Sequence, residues 1–195
     1  TTGSSPAISD EANSPASTLS DSALSRLNEM KYGAFSSAGS GSETIIKVEN
    51  DDLIAFFSTK GGIVKKVILK DFKDFRGNPL VLLDESHSEQ HFYVDHLSKQ
   101  VDLSELYFAS AAVDKTISGT DTTKIVFSLA LSDGSGITYE YLIPGKGYTM
   151  EMNVKQSGMQ SLTSQNLVFA WKQRMNRVEK DFTDARTRST VKYQL

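Results

Sequence analysis

Three consecutive segments in the second half of the chain alternate apolar and polar residues with a strict period of two. In 123–132, Ile125, Phe127, Leu129 and Leu131 share one side. After the turn Asp133-Gly134-Ser135-Gly136, Ile137, Tyr139, Tyr141 and Ile143 alternate with Thr138, Glu140 and Leu142. A second turn, Pro144-Gly145-Lys146-Gly147, leads to Tyr148, Met150, Met152 and Val154 against Thr149, Glu151, Asn153 and Lys155. Successive side chains of a strand point to opposite faces, so such alternation buries one face only, and short glycine-containing turns join antiparallel neighbours. The pattern predicts an antiparallel meander with Tyr139 and Tyr141 on its inward face.

The rest of 44–195 also reads as β-structure, which makes the body all-β. Residues 44–83 read as strand, turn, strand, a Lys60-Gly61-Gly62 turn, strand, loop and strand. The run 53–58 is apolar on both sides, as a strand covered on both faces requires. Residues 167–175 alternate Leu167, Phe169 and Trp171 with Val168 and Ala170, so a second doubly covered strand is expected, with Trp171 in the core. Residues 177–188 are too charged for a core element and read as a loop with a helical turn. Residues 190–195 begin another strand, with Val191, Tyr193 and Leu195 on one side. A chain that stops on such a strand reads as cut inside its domain, because exposed edges are normally covered.

Residues 1–43 differ in kind. They hold twelve serines and few large apolar residues. Such a segment cannot bury enough surface to offset its ordering entropy, and the expectation is a flexible tether. Ala23, Leu24, Leu27 and Met30 follow Asp21 at near-helical spacing, so 21–32 can form a short amphipathic helix, either docked on the body or transient in a linker.

Charge divides the same way. The tether carries five acidic and two basic residues, which is the whole net charge of −3. The body is balanced, which argues against a nucleic-acid binder, because such a protein needs a basic footprint. Locally the balance is uneven. Lys60, Lys65, Lys66, Lys70, Lys73 and Arg76 outnumber Asp71 and Asp74, and 172–192 is again rich in Lys and Arg. If these two stretches met, their common face could lie against anionic lipid headgroups; otherwise they are solvated strand faces and loops. No segment has the ~18–20 apolar residues of a spanning helix.

No candidate for chemistry is well formed. The chain has no cysteine, which excludes disulfides and thiolate metal sites. His87, His91 and His96 lie among Asp84, Glu85, Glu89 and Asp95, and His87 with His91 could pair on a helix to hold zinc. The zinc-protease pattern requires Glu after the first His, where Ser88 stands, and 91–94 read as a strand. Pro144-Gly145-Lys146-Gly147 lacks the spacing of a phosphate loop. Gly61 and Gly62 join two strands and open no helix. Asp51-Asp52 and Asp84-Glu85 are neighbours in sequence, and neighbours on a strand face opposite ways. No serine elbow is present. The expectation is no catalytic, metal or cofactor site.

The stretch 44–83, with its pattern N-D-x-L, S-T-K-G-G-x-V, V-x-L-K-D-F and G-x-P-L-V-L, resembles the opening of the periplasmic domain of YidC-type membrane protein insertases, Bacteroides-like ones above all. Three later stretches resemble the same family in order: 137–148 (ITYEYLIPGKGY), 168–174 (VFAWKQR) with the following V-E-K-D-F, and 190–195. The resemblance implies an antiparallel β-supersandwich like that of galactose mutarotase, of which 44–195 would be the N-terminal part. It further implies a place on the periplasmic side of the inner membrane, anchored to it in the full-length protein. The implied role is accessory, aiding the insertion and folding of membrane proteins by contact with Sec translocon components and nascent chains. Gly61, Gly62, Pro144, Gly145, Tyr148 and Trp171 match family positions with implied structural roles; no partner-binding residue carries over. A carbohydrate-binding β-sandwich is the alternative, and it would need exposed aromatics beside Asp, Asn or Arg. A mutarotase-like enzyme is a third reading and would need a His and a carboxylate converging in that cleft.

Overall fold

The computed structural model describes residues 21–96, 99–131, 134–158, 167–174, 177–178, 180–181 and 183. Helix α1 (Asp21–Tyr32) and a 3-10 turn (Gly33–Ala38) precede a run of strands. These are β1 (Ile45–Glu49), β2 (Leu53–Ser58), β3 (Val64–Lys73), β4 (Pro79–Asp84), β5 (Ser88–His96) and β6 (Lys99–Asp102), then a second 3-10 turn (Leu103–Glu105). There follow β7 (Lys115–Thr116), β8 (Thr122–Ala130), β9 (Gly136–Pro144), β10 (Glu151–Ser157) and β11 (Leu167–Gln173).

The strands form three sheets, a five-stranded one in the order β4-β3-β2-β1-β7 and two three-stranded ones, β10-β9-β8 and β11-β5-β6. All pairings are antiparallel except β1 with β7, which the sequence did not signal. The protein is thus an all-β sandwich. The meander forms with the expected residues on one face, Phe127 opposite Tyr139 and Ile125 opposite Tyr141. Met152 lies opposite Tyr141 and Val154 opposite Tyr139, so β10 adds to the same face.

That face closes on the five-stranded sheet. Phe57 of β2 lies 5.0 Å from the ring of Tyr141 in an edge-on contact and 6.5 Å from that of Phe127. The ring of Tyr139 meets Phe92 of β5 at 4.9 Å and Phe108 at 4.8 Å, so the three sheets converge on one aromatic cluster. Burying each such side chain contributes roughly 1.5–3 kcal/mol, and aromatic geometry adds about 0.5–1.5 kcal/mol per pair.

Three features depart from the sequence reading. Tyr148 does not begin the third meander strand; it precedes β10, is half exposed, and rests against Phe72 with ring centroids 6.0 Å apart. The cause is the Pro144–Gly147 turn, which the buried Asn50 holds open by donating to the carbonyls of Pro144 and Gly147. Trp171 is not in the core. It is 55% exposed, with Phe169 at 48%; among the described residues β11 lies at the edge of its sheet and pairs with β5 alone.

The third departure is at the amino end, where the packed body reaches back beyond Thr44. Phe35 of the first 3-10 turn is fully buried and Tyr32 nearly so, while Leu24, Leu27 and Met30 of α1 stay exposed. The helix is tied down by polar contacts instead: Lys31 pairs with Glu105, and the Tyr32 hydroxyl donates to the same carboxylate at 2.8 Å. Residues 1–20 of the tether expected over 1–43, and the strand expected over 190–195, lie outside the described residues.

Candidate interaction surface

The constellation closest to a catalytic one is His91 with Asp102 and Ser104. His91 lies on β5, two residues before the Tyr93 that faces Asp102 at the end of β6, and Asp102 caps the 3-10 turn that carries Ser104. His91 Nδ1 is 2.6 Å from Asp102 Oδ2, so this nitrogen must carry the proton in order to donate to the carboxylate. The Ser104 hydroxyl stands 3.2 Å from that same nitrogen and donates to Asp102 Oδ1 at 2.7 Å. A relay needs serine and carboxylate on opposite ring nitrogens, with the serine proton free to move to the ring. Here both face Nδ1, and the serine proton is directed to the carboxylate. Asp102 also accepts from the Ser104 backbone N–H, as a helix cap does. The arrangement fastens β5 to the β6 turn and activates no nucleophile.

The other histidines do not join it. His87 sits in the β4–β5 turn, with Nδ1 2.9 Å from the Ser86 hydroxyl. The side chain of His96 lies outside the described residues. Because His91 is on a strand, the helical pairing with His87 does not form, and no group of three potential ligands gathers for a metal among the described residues.

Of the family-matched positions, Gly61 and Gly62 take positive φ of 77° and 62°. A Cβ on Gly61 would stand 2.8 Å from the Ser104 carbonyl oxygen, and one on Gly62 would stand 2.8 Å from the Tyr139 ring, so the turn presses its backbone onto both. Gly145 lies under the Ser118 carbonyl, 2.4 Å from where a Cβ would be, and donates its N–H to Asp121. Its own carbonyl accepts from Asp51. Asn50, to which the sequence reading gave no role beyond the N-D-x-L pattern, unites this region: besides its two donor bonds, its Oδ1 accepts from the backbone N–H groups of Asp52 and Leu53. The signal was present in Asn50-Asp51-Asp52 before an apolar run, a typical Asx-turn sequence.

The main unpartnered surface is β11. It pairs with β5 from Leu167 opposite Val94 to Gln173 opposite Ser88, and among the described residues its other edge has no strand beside it. Phe169 stacks on Phe92 at 4.5 Å, continuing the core stack outwards, and lies 6.4 Å from Trp171. The Trp171 indole N–H donates to the Ser88 hydroxyl at 3.0 Å, which fixes the ring across the sheet. Val168, on the opposite face, is 46% exposed. A long edge strand with large apolar side chains on both faces is a template for another extended chain.

Comparison with known proteins gives one consistent result. The profile of the YidC periplasmic domain matches residues 45–193. The protein named membrane protein insertase YidC of Cytophaga hutchinsonii is 32% identical over 181 residues, covering 91% of this chain and 28% of that protein. The proteins of the same name from Amoebophilus asiaticus and Porphyromonas gingivalis are each 30% identical over 168 residues, covering 85% and 84% of this chain. The chain spans about a quarter of the length of these relatives: 28% of the first two and 26% of the third.

Proposed function

Because the chain belongs to the YidC periplasmic-domain family and stands on the periplasmic side of the bacterial inner membrane, we propose that it is the accessory periplasmic domain of a membrane protein insertase. In this reading it aids insertion and folding through protein contacts and performs no catalysis. Its partners are the emerging periplasmic segments of client membrane proteins and components of the Sec translocon.

The observation that carries this reading is the edge of β11, which has no strand beside it among the described residues. An extended client segment can add to that edge by backbone hydrogen bonds, with Phe169, Trp171 and Val168 supplying sequence-tolerant apolar contacts. The test is photo-crosslinking in the full-length protein in its membrane, with a benzophenone side chain at Val168 or Lys172 and, for comparison, at Lys115. Adducts with nascent chains or translocon subunits from β11 and not from Lys115 support the proposal. Equal labelling from all three sites counts against it.

The exposure of Trp171 and Phe169 also favours a second reading, a carbohydrate-binding face, since aromatic platforms stack on sugar rings. Titration with mono- and disaccharides while following Trp171 fluorescence tests it; an unchanged spectrum at millimolar sugar removes it.

A further inference from the structure

The ladder between β11 and β5 determines which backbone groups the outer edge of β11 offers. The Arg174 N–H donates to the His87 carbonyl at 2.8 Å, and the register runs on from Gln173 opposite Ser88 to Leu167 opposite Val94. In an antiparallel ladder, residues that exchange hydrogen bonds alternate with residues whose N–H and C=O point the other way. Counting back from Arg174, the residues bonded to β5 are Lys172, Ala170 and Val168. Gln173, Trp171, Phe169 and Leu167 therefore turn their N–H and C=O away from β5, to the side where no strand lies among the described residues.

The same residues carry the aromatic side chains. Phe169 and Trp171 lie on the face that continues the core stack through Phe92, and both are about half exposed. The opposite face differs in kind: it holds Val168, the small Ala170, and Lys172, whose ammonium pairs with Glu89 of β5. Backbone contact and aromatic contact thus fall on one set of alternate residues. The strand is also fixed at its end. The Gln173 side chain donates to the Leu82 carbonyl at 2.8 Å, and just beyond it the Phe75 N–H donates to the Val178 carbonyl at 3.1 Å. Little ordering of the edge is left to the moment of binding.

We propose that this edge selects extended segments in which apolar and polar residues alternate, added antiparallel to β11. Antiparallel addition sets each partner residue that bonds to Phe169 or Trp171 directly across from it, with its side chain on the same face. Those positions take Val, Ile or Leu and exclude proline, which has no N–H to donate. The intervening positions lie beside Val168, Ala170 and Lys172 in contact with water and take polar residues. Parallel addition would separate the two sets, because bonds to Phe169 and Trp171 would then come from residues of the other face. A membrane-spanning helix is no ligand for such an edge, since its backbone groups are satisfied within the helix. The class of client is therefore the extramembrane segment of alternating pattern, and this rests on the reading of β11 as a contact edge.

The test is calorimetric titration of the 195-residue chain with a nine-residue peptide of three valines alternating with four threonines between terminal glutamates. Trp171 emission reports the site and should shift to the blue on binding. N-methylation of the three valines should weaken binding at least about tenfold, because each loses a backbone donor to the edge. N-methylation of three threonines, whose N–H groups face away from β11, should cost less than about threefold. A peptide of the same composition with its valines consecutive should bind at least about tenfold more weakly. Trp171→Ala, checked for its β spectrum by circular dichroism, should weaken binding severalfold. Absence of binding at millimolar peptide, or equal losses from the two N-methylations, overturns the proposal. A larger loss from the methylated threonines also overturns it, by showing parallel addition. Crosslinks from Val168 and Lys172 in the membrane without peptide selectivity would remove this proposal and leave the contact edge standing. Selective peptide binding without such crosslinks would remove the client reading alone.

Discussion

Tyr139 and Tyr141 point the same way from β9, yet the Tyr141 hydroxyl donates to the Gly62 carbonyl at 2.8 Å while the Tyr139 hydroxyl meets no hydrogen-bond partner among the described residues. Both are buried, and burial pushes both phenols well above their ordinary range. Removing the two oxygens should therefore have opposite effects. Tyr141→Phe leaves a buried carbonyl unpaired and should destabilise by about 1 kcal/mol, whereas Tyr139→Phe should be neutral or stabilise by up to about 1 kcal/mol. Urea unfolding of the two variants measures this; equal losses would contradict the assigned partners.

Asn50 is 1% exposed and makes four hydrogen bonds that join the β1–β2 turn to the Pro144–Gly147 turn. At about 1 kcal/mol net for each bond, Asn50→Ala should cost roughly 3–4 kcal/mol, more than most single substitutions on a surface turn. Asn50→Asp keeps the two acceptor bonds but sets a carboxylate against two carbonyls, so it should rescue little at neutral pH. Chemical denaturation of both variants tests this.

Trp171 is the only tryptophan in the sequence, which makes its surroundings directly readable. Its emission should be red-shifted and quenched by iodide in the folded protein. Trp171→Ala should cost no more than about 1 kcal/mol, against the roughly 3–5 kcal/mol of a buried tryptophan. A blue-shifted, unquenched emission would mean that something covers the β11 face.

Acid should weaken the fold through its paired carboxylates. Hydrogen bonds from Lys65 and the Ser58 hydroxyl hold the Glu43 carboxyl below its ordinary value of 4.5, and Lys31 does the same for Glu105. A carboxyl with a depressed folded pKa contributes fully above its unfolded pKa and loses that contribution as pH falls through the folded value. Melting temperature should thus be flat near neutrality and decline from about pH 4.5 downwards. Glu43→Gln should flatten part of that decline and lose under about 1 kcal/mol at pH 7, because the pair is partly solvated. A pH series of thermal melts decides.

β8 and β9 of the meander were legible because their alternation is strict and one face is fully covered, so period alone names the buried residues there, while Met152 and Val154 of β10 are only partly covered. The same logic misplaced Trp171. Its strand alternates equally well, but apolar residues on both sides of a strand fit an uncovered edge as readily as a covered centre. Phe35 escaped notice because two aromatics, Tyr32 and Phe35, in a serine-rich segment are too few to set a period. His91, Asp102 and Ser104 come together only when β5 pairs with β6, and the meeting of Phe75 with Val178 depends on where β11 ends. Local pattern identifies strands; which of their faces remain open is decided by pairings distant in sequence.

The pairing of β11 with β5 sets a delay. Ser88 must find Gln173 and Val94 must find Leu167, and at ribosomal rates of about 5–20 residues per second the intervening chain takes roughly 4–17 s to appear. For that interval Phe92 and the edge of β5 have no β11 beside them, although the β1–β2–β3 hairpins are already complete. Vulnerability to mispairing and proteolysis is therefore a matter of timing during synthesis, greatest before β11 arrives. A pulse-labelled chain halted ahead of Leu167 should be cleaved far faster than one halted beyond Gln173.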